Sequence, residues 1–318
     1  MFDHILVPLD GSPLAECVLP HAVALARALD AQVTVLRVLE RPRVTDPTRS
    51  IDPLGWHIRK AEAETYLGGV VARLRKVDLR AKKSLLEGQA AERIIEFAHS
   101  QDVSLILLGS HGRSGLSGWN VSGVVQKVIL RVGMPTMIVR AYQSVTDNLA
   151  NLRYRRLLIP LDGSQRAECV LPLATMLARF HESQILLAHV VHRPEIPRRA
   201  SPTQEELDLA NQLTERNRQE AARRLKQLSS RLASNVQTRL LVDDSVASAL
   251  HAIVRQEDID LVVLGAHGYS GDTQWPYGSV ALNFIAYGTT PLLIVQDLSQ
   301  DELEVTQAEL AAREYKGH

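Results

Sequence analysis

Two aspartates and two glycine-rich runs are the residues of this chain best placed to do chemistry. Asp10 and Asp162 each follow a short apolar run and precede Gly-Ser, in VPLDGS and IPLDGS. A carboxylate at the tip of a strand can accept hydrogen bonds from a ribose hydroxyl or a base amine. Farther along, GSHGRSGLSGWNVSGV starts at Gly109 and GAHGYSGDTQWPYGSV at Gly265. Gly265, Gly268 and Gly278 let backbone N–H groups approach phosphate oxygens with no Cβ in the way. A helix starting near Ser279 would point its positive end at the same place. Together these features make a nucleotide cradle. Each alone is ordinary, since Asp-Gly-Ser is a common turn and helix start and glycines punctuate many loops. The weight comes from their spacing, which the chain writes twice.

The repetition is an internal duplication. Asp10, Cys17 and Pro20 recur at Asp162, Cys169 and Pro172, 152 positions on, while Gly109 and Pro135 recur at Gly265 and Pro291, 156 positions on. The difference, 156 minus 152, places a four-residue insertion in the middle of the second copy. Each copy has the length of an ordinary domain and exceeds the ~20–50 residues of a solenoid repeat.

The elements that must position these residues follow from hydrophobic patterning. Short apolar runs at Ile5–Leu9, Val33–Leu39, Ser84–Leu86, Leu105–Leu108 and Thr136–Val139 read as buried strands. Between them Leu14–Leu29, Trp56–Val77, Ala90–His99 and Val124–Val132 carry apolar residues at helical spacing. The second half repeats this order, with strands near Leu157–Leu161, Gln184–Val191, Val236–Leu241, Leu261–Leu264 and Leu292–Val295. Its second helix, Glu205–Leu232, absorbs the insertion and shows an apolar stripe through Leu207, Ala210, Leu213, Ala221, Leu225, Leu228 and Leu232. Strict alternation of strand and helix predicts two tandem Rossmann-like α/β domains, each a five-stranded, mostly parallel sheet with helices on both faces. The expected domains are residues 1–141 and 153–297, joined by a polar linker at Tyr142–Asn151 and followed by a tail over 298–318. Ligands of such sheets sit outside the carboxyl ends of the strands, where the strand order reverses.

Composition bounds the class. The 318 residues are 45% hydrophobic and 23% charged, enough for a core in each half. With 36 basic and 36 acidic side chains the net charge is zero, which argues against a nucleic-acid partner. No apolar stretch approaches the ~20 residues that span a bilayer, so no membrane partner is expected. Met1-Phe2-Asp3-His4 leads straight into the first strand without a signal peptide, and a cytoplasmic location is the expectation. Cys17 and Cys169 occupy equivalent helical positions and read as core thiols.

The spacing G-x2-G-x9-G-S at Gly265, Gly268, Gly278 and Ser279, with the Pro-x-Asp of Pro160 and Asp162, resembles the ATP-binding universal stress protein family, in tandem form. The resemblance spans nearly the whole chain. It implies that Asp162, beside Gly163, lies by the adenosine and that Val190 presents backbone to adenine. It also implies that Leu264, Gly265, His267 and Gly268, with Gly278, Ser279 and Val280, wrap ribose and phosphates, with Mg2+ on the phosphates. In the first copy Asp10, Val38, Gly109, Gly112, Ser122 and Gly123 hold the matching positions. The resemblance implies pairing of the two domains through their last strands and further association into a homodimer. Rival signatures are missing, with no G-x4-GK[ST], no strand-associated GxGxxG and no HxGH.

The two copies differ where the phosphates would lie. Gly278-Ser279-Val280 is answered by Ser122-Gly123-Val124, so glycine and serine have changed places. A side chain at Ser122 would enter the phosphate path, which predicts a weakened or altered first site; alternatively Ser122 caps its helix and the loop adjusts. His111 and His267 sit between the first two glycines with no carboxylate beside them in sequence, which favours a loop-packing role over acid–base work. Asp272 reads as solvated loop rather than metal ligand, and Trp275, Pro276 and Tyr277 as either a cover for the ligand or packing. Three functions compete. The leading one is a regulatory protein that binds ATP or another adenine nucleotide as ligand, together with a protein partner the sequence does not name. The others are a slow ATPase or phosphoryl-transfer enzyme, and an interaction scaffold with a vestigial first site.

Overall fold

The computed structural model describes residues 2–40, 53–112, 121–141, 148–194, 203–232, 235–269 and 276–297. The chain divides into two compact units, Met1–Arg153 and Tyr154–His318.

In the first unit the strands are β1 (His4–Pro8), β2 (Gln32–Leu39), β3 (Ala81–Glu87), β4 (Leu105–Gly109) and β5 (Thr136–Val139), with helices α1 (Leu19–Leu29), α2 (Pro53–Arg75), α3 (Ala90–Ser100) and α4 (Gly123–Val132) between them. The strands lie in the order β3-β2-β1-β4-β5, and the pairs are parallel. Ile5 is central, level with Val33 on one side and Leu105 on the other. Helices cover such a sheet on both faces, so its strands are continuous apolar runs rather than alternating ones, and Ile5, Leu6, Val33, Leu105 and Ile106 are fully buried.

The second unit repeats the plan with β6 (Arg156–Pro160), β7 (Gln184–His192), β8 (Val236–Asp243), β9 (Leu261–Gly265) and β10 (Leu292–Val295). Its helices are α5 (Gln165–Glu168), α6 (Leu171–His181), α7 (Gln204–Arg231), α8 (Val246–Gln256) and α9 (Ser279–Tyr287). The order is β8-β7-β6-β9-β10, again parallel. In each unit the order reverses between the first and fourth strands. The loops leaving β1 and β4, or β6 and β9, therefore flank one crevice, the place where open parallel sheets bind ligands.

Three sequence expectations need correction. The first helix expected over Leu14–Leu29 is broken into a 3-10 turn at Ala15–Val18 and α1, and its counterpart into α5 and α6. Pro20 and Pro172 dictate the break, because a proline is tolerated only in the first turn of a helix. Strand β3 is longer than Ser84–Leu86 because exposed Lys82 and Lys83 continue it along the sheet edge, where charged side chains suit one-sided pairing. The stripe of α7 is buried only at Ala221, Leu225 and Leu228, whereas Leu207 and Leu213 are about 40% exposed. A helix of 28 residues runs about 42 Å at ~1.5 Å per residue. The nine residues of β7 cover only about 30 Å, so the amino-terminal half of α7 overhangs the sheet. No helix among the described residues is long and apolar enough to cross a membrane.

Candidate functional site

In the second unit β6 ends at Pro160 and the chain turns at Asp162-Gly163-Ser164. Gly163 adopts φ +86°, a conformation that only glycine takes without strain. The Asp162 carboxylate accepts hydrogen bonds from the Ser164 amide at 2.9 Å and the Ser164 hydroxyl at 2.7 Å through Oδ1. Its Oδ2 accepts from the Tyr269 amide, in the loop after β9. Asp162 thus clasps the two loops that flank the crevice. Gly268 lies directly against this clasp, since a Cβ there would fall 2.1 Å from Asp162 Oδ2. The first unit shares the turn and the close approach, with Ser12 N–H donating to Asp10 at 2.9 Å and a Cβ on Gly112 falling 2.0 Å from Asp10 Oδ2.

The glycine-rich loop leaves Leu264 and Gly265 at the end of β9 and returns when Gly278 N–H donates to the Ala266 carbonyl at 2.8 Å. Gly278 is the N-cap of α9 and brings no side-chain cap, so it leaves the first-turn N–H groups of Ser279, Val280 and Ala281 facing the loop without one. A Cβ on Gly278 would meet only ordinary contacts, 3.6 to 3.9 Å from Ala266 O, His267 Cα and Gly268 N. Among the described residues there is thus room for a Cβ at Gly278, whereas at Gly268 there is none. In the first unit Ser122 N–H makes the equivalent bond to Ser110 O at 2.8 Å, with nearly the same backbone angles. The Ser122 hydroxyl then accepts from the Val125 amide at 3.4 Å, capping α4. The exchange of glycine and serine keeps the backbone at the helix start and ties up a helix amide.

Strand register places Val190. The Leu161 amide donates to the Ala188 carbonyl at 2.8 Å, so Ala188 turns its backbone toward β6. Alternate residues of a parallel strand face the same neighbour, so Val190 directs its N–H and C=O to the same side, past the last rung with β6 at Pro160–Ala188. Val38 is placed likewise, since Leu9 N–H donates to Leu36 O.

Beside Val190, His189 brings Cε1 to 3.8 Å from the Cβ position of Gly163. Burial holds this imidazole below its ordinary range, partly offset by the Asp162 charge. At the matching place in the first unit stands Arg37, only 8% exposed, with Cζ and Nη1 3.0 Å from the Cβ position of Gly11 and the guanidinium over the Tyr66 ring at 5.4 Å. The two crevices are therefore lined by different side chains, a guanidinium in the first and an imidazole whose protonation burial disfavours in the second, a difference the sequence reading passed over.

The reading of His267 also changes. Its Nδ1 lies 2.8 Å from Asp297 Oδ1, and its backbone N–H donates to the same oxygen at 3.1 Å. Both side chains are buried, and Arg166 Nε stands 3.7 Å from Asp297 Oδ2. A carboxylate partner was missed because it lies thirty positions away, after β10; laying the two copies side by side would have exposed it, since Ala141 holds that place in the first. His111 instead meets the Ser110 hydroxyl at 3.1 Å. Tyr277 is buried, which favours packing over covering a ligand, while Asp272, Trp275 and the tail lie outside the described residues. Cys17 and Cys169 are free thiols. Burial raises Cys17 to about 12, and burial with the charge of Asp297 raises Cys169 to about 11, which leaves both unreactive.

Comparison with known proteins agrees with this architecture. The profile of the universal stress protein family matches residues 1–140 and again 153–296. A universal stress protein of Mycobacterium tuberculosis is 22% identical over 304 residues, covering 92% of this chain and 96% of the relative. YxiE of Bacillus subtilis, a universal stress protein, is 30% identical over 149 residues, 44% of this chain and 100% of the relative. Among solved structures, a universal stress protein from Archaeoglobus fulgidus aligns over 94% of this chain and 100% of its own, with a TM-score of 0.65 at 17% identity. Matched by the family profile in both halves, the chain belongs to the universal stress protein family, with two such domains in tandem.

Proposed function

We propose that this chain is a regulatory protein of the cytoplasm that binds an adenine nucleotide, ATP foremost, as a ligand rather than a substrate, and that the second domain holds most of it. The observation that carries the reading is the contrast between the two helix starts. α9 begins at Gly278, which has no side chain to cap it, and this leaves its first-turn amides and dipole for phosphate oxygens as far as the described residues go, whereas α4 gives its Val125 amide to Ser122. Around that helix start the rest of the cradle fits a nucleotide. Gly268 and Gly265 bring backbone close, the exposed Asp162 carboxylate can accept from a ribose hydroxyl, and the Val190 backbone is directed to the side of β6 beyond its last rung. In the first domain Arg37 and the capped α4 describe a different ligand preference.

Magnesium, when bound with ATP, would neutralise phosphate charge. Among the described residues no cluster of three His, Cys, Asp or Glu side chains could hold it, so the phosphates themselves would be its main ligands. Two free cysteines suit a reducing compartment. The test is calorimetry of the full chain with ATP and magnesium, alongside steady-state hydrolysis and mass spectrometry of ligand released on denaturation. Tight binding with negligible turnover is expected. Turnover at enzymatic rates would replace this reading with a hydrolase, and failure to bind any adenine nucleotide would remove it.

A further inference from the structure

The two glycine-rich loops are braced in different ways. Three positions change together between the copies: Leu14 becomes Arg166, Ser110 becomes Ala266 and Ala141 becomes Asp297, at the offsets of 152 and 156 that relate all other landmarks. In the first domain the Ser110 hydroxyl meets the His111 ring at 3.1 Å and accepts from the Ala141 amide at 3.0 Å. In the second domain that hydroxyl is gone, and a carboxylate from the end of β10 takes its place. Asp297 Oδ1 is bonded by both the amide and the ring nitrogen of His267.

A carboxylate with 1% of its side chain exposed is costly unless its charge is answered. Oδ1 has two nitrogen partners on one residue. Oδ2 has no hydrogen bond among the described residues and faces Arg166 Nε at 3.7 Å, within ion-pair range. Such a group does more than fill space. A carboxylate on Nδ1 selects the tautomer and ring orientation of a histidine, and a second bond from the same oxygen to the backbone fixes the peptide that leads into Gly268.

We propose that Asp297 is the positioning residue of the second glycine-rich loop: one buried oxygen, charge-matched by Arg166, fixes the backbone and the imidazole of His267 together and so presets the loop amides for phosphate. The inference rests on the nucleotide reading of that loop. Its first-domain counterpart holds the ring through Ser110 and has alanine where the carboxylate would be.

The discriminating variant transplants the first domain's solution into the second, Ala266→Ser with Asp297→Ala, in the full chain. It restores a hydroxyl partner for the ring, so it is expected to fold and melt near the parent even if Asp297→Ala alone does not. Hydrogen exchange of the peptide spanning Leu264–Tyr269 should nonetheless accelerate, and magnesium-ATP affinity should fall roughly tenfold, the effect of losing a hydrogen bond to a charged group. Parental exchange and parental affinity in the transplant would overturn the inference, because a hydroxyl would then serve as well as the carboxylate. If the parent chain bound no nucleotide, the reading of the site would fail, and the exchange measurement, which needs no ligand, would still decide whether Asp297 braces the loop.

Discussion

Replacing Gly268 by alanine should damage both the fold of the second domain and its binding. The new Cβ would stand 2.1 Å from Asp162 Oδ2, more than an ångström inside normal contact. The carboxylate must swing away, and because Oδ2 carries the bond from the Tyr269 amide, that bond goes first. A hydrogen bond to a charged group contributes ~1.5–3 kcal/mol when buried. Asp162 is exposed, which brings the expected loss to about 1–2 kcal/mol. For a domain of this size that is a fall in Tm of roughly 2–8 °C. Affinity for ATP should drop at least ~tenfold, because the carboxylate leaves the position where a ribose hydroxyl would meet it. Gly278→Ala is the control. Its Cβ meets nothing closer than 3.6 Å among the described residues, so its melting temperature should match the parent's. Calorimetric melting and ATP titration of the two variants decide the matter. If Gly268→Ala melted and bound like the parent, the clasp between the two loops would have no energetic weight, and the account of the site would be wrong.

Two further outcomes follow from single residues. Asp162→Ala should weaken ATP binding by ~1–3 kcal/mol while leaving the domain folded, since the groups it releases are solvent-accessible amides and a hydroxyl; unchanged affinity in a folded variant would reduce Asp162 to a turn former. His21 is buried in α1, and burial lowers its pKa to about 4 from 6.5, so the folded first domain keeps it neutral while the unfolded chain protonates it readily. Its contribution is present above pH 6.5 and is lost as the pH falls toward 4, up to about 3 kcal/mol in all. His21→Leu, which installs the residue found at Leu173 in the second domain, should flatten the acid dependence of stability between those values; an identical slope in the variant would contradict the assignment.

How much of this was legible in the sequence depended on whether the signal was local. Strand and helix order, the parallel sheet and the two loops at the crevice came from apolar runs and duplicated glycines, which report local backbone demands. Thr203 and Glu206, three apart ahead of a helical stretch, form a capping box that the pattern also encodes. Prolines at 20 and 172 marked the true helix starts, yet the apolar spacing on either side concealed the break. The overhang of α7 could not be read because an amphipathic stripe does not say where the sheet beneath it ends. The features that separate the two sites, Arg37 against His189 and Asp297 against Ala141, stand in the sequence as differences between the copies, but what they touch does not. Each acts on a residue far along the chain, Arg37 on the Gly11 turn and Asp297 on His267, and only the fold brings them together.

If the start of α9 makes the second domain the nucleotide site, exchanging the two cap sequences should cost it that advantage. In Gly278→Ser with Ser279→Gly, the new serine should cap α9 as Ser122 caps α4, leaving stability unchanged or raised by a few tenths of a kcal/mol. ATP titration of that variant by calorimetry should show affinity falling roughly tenfold as a helix amide is withdrawn from the phosphates. Full ATP affinity in a variant whose second helix is capped like the first would contradict the account.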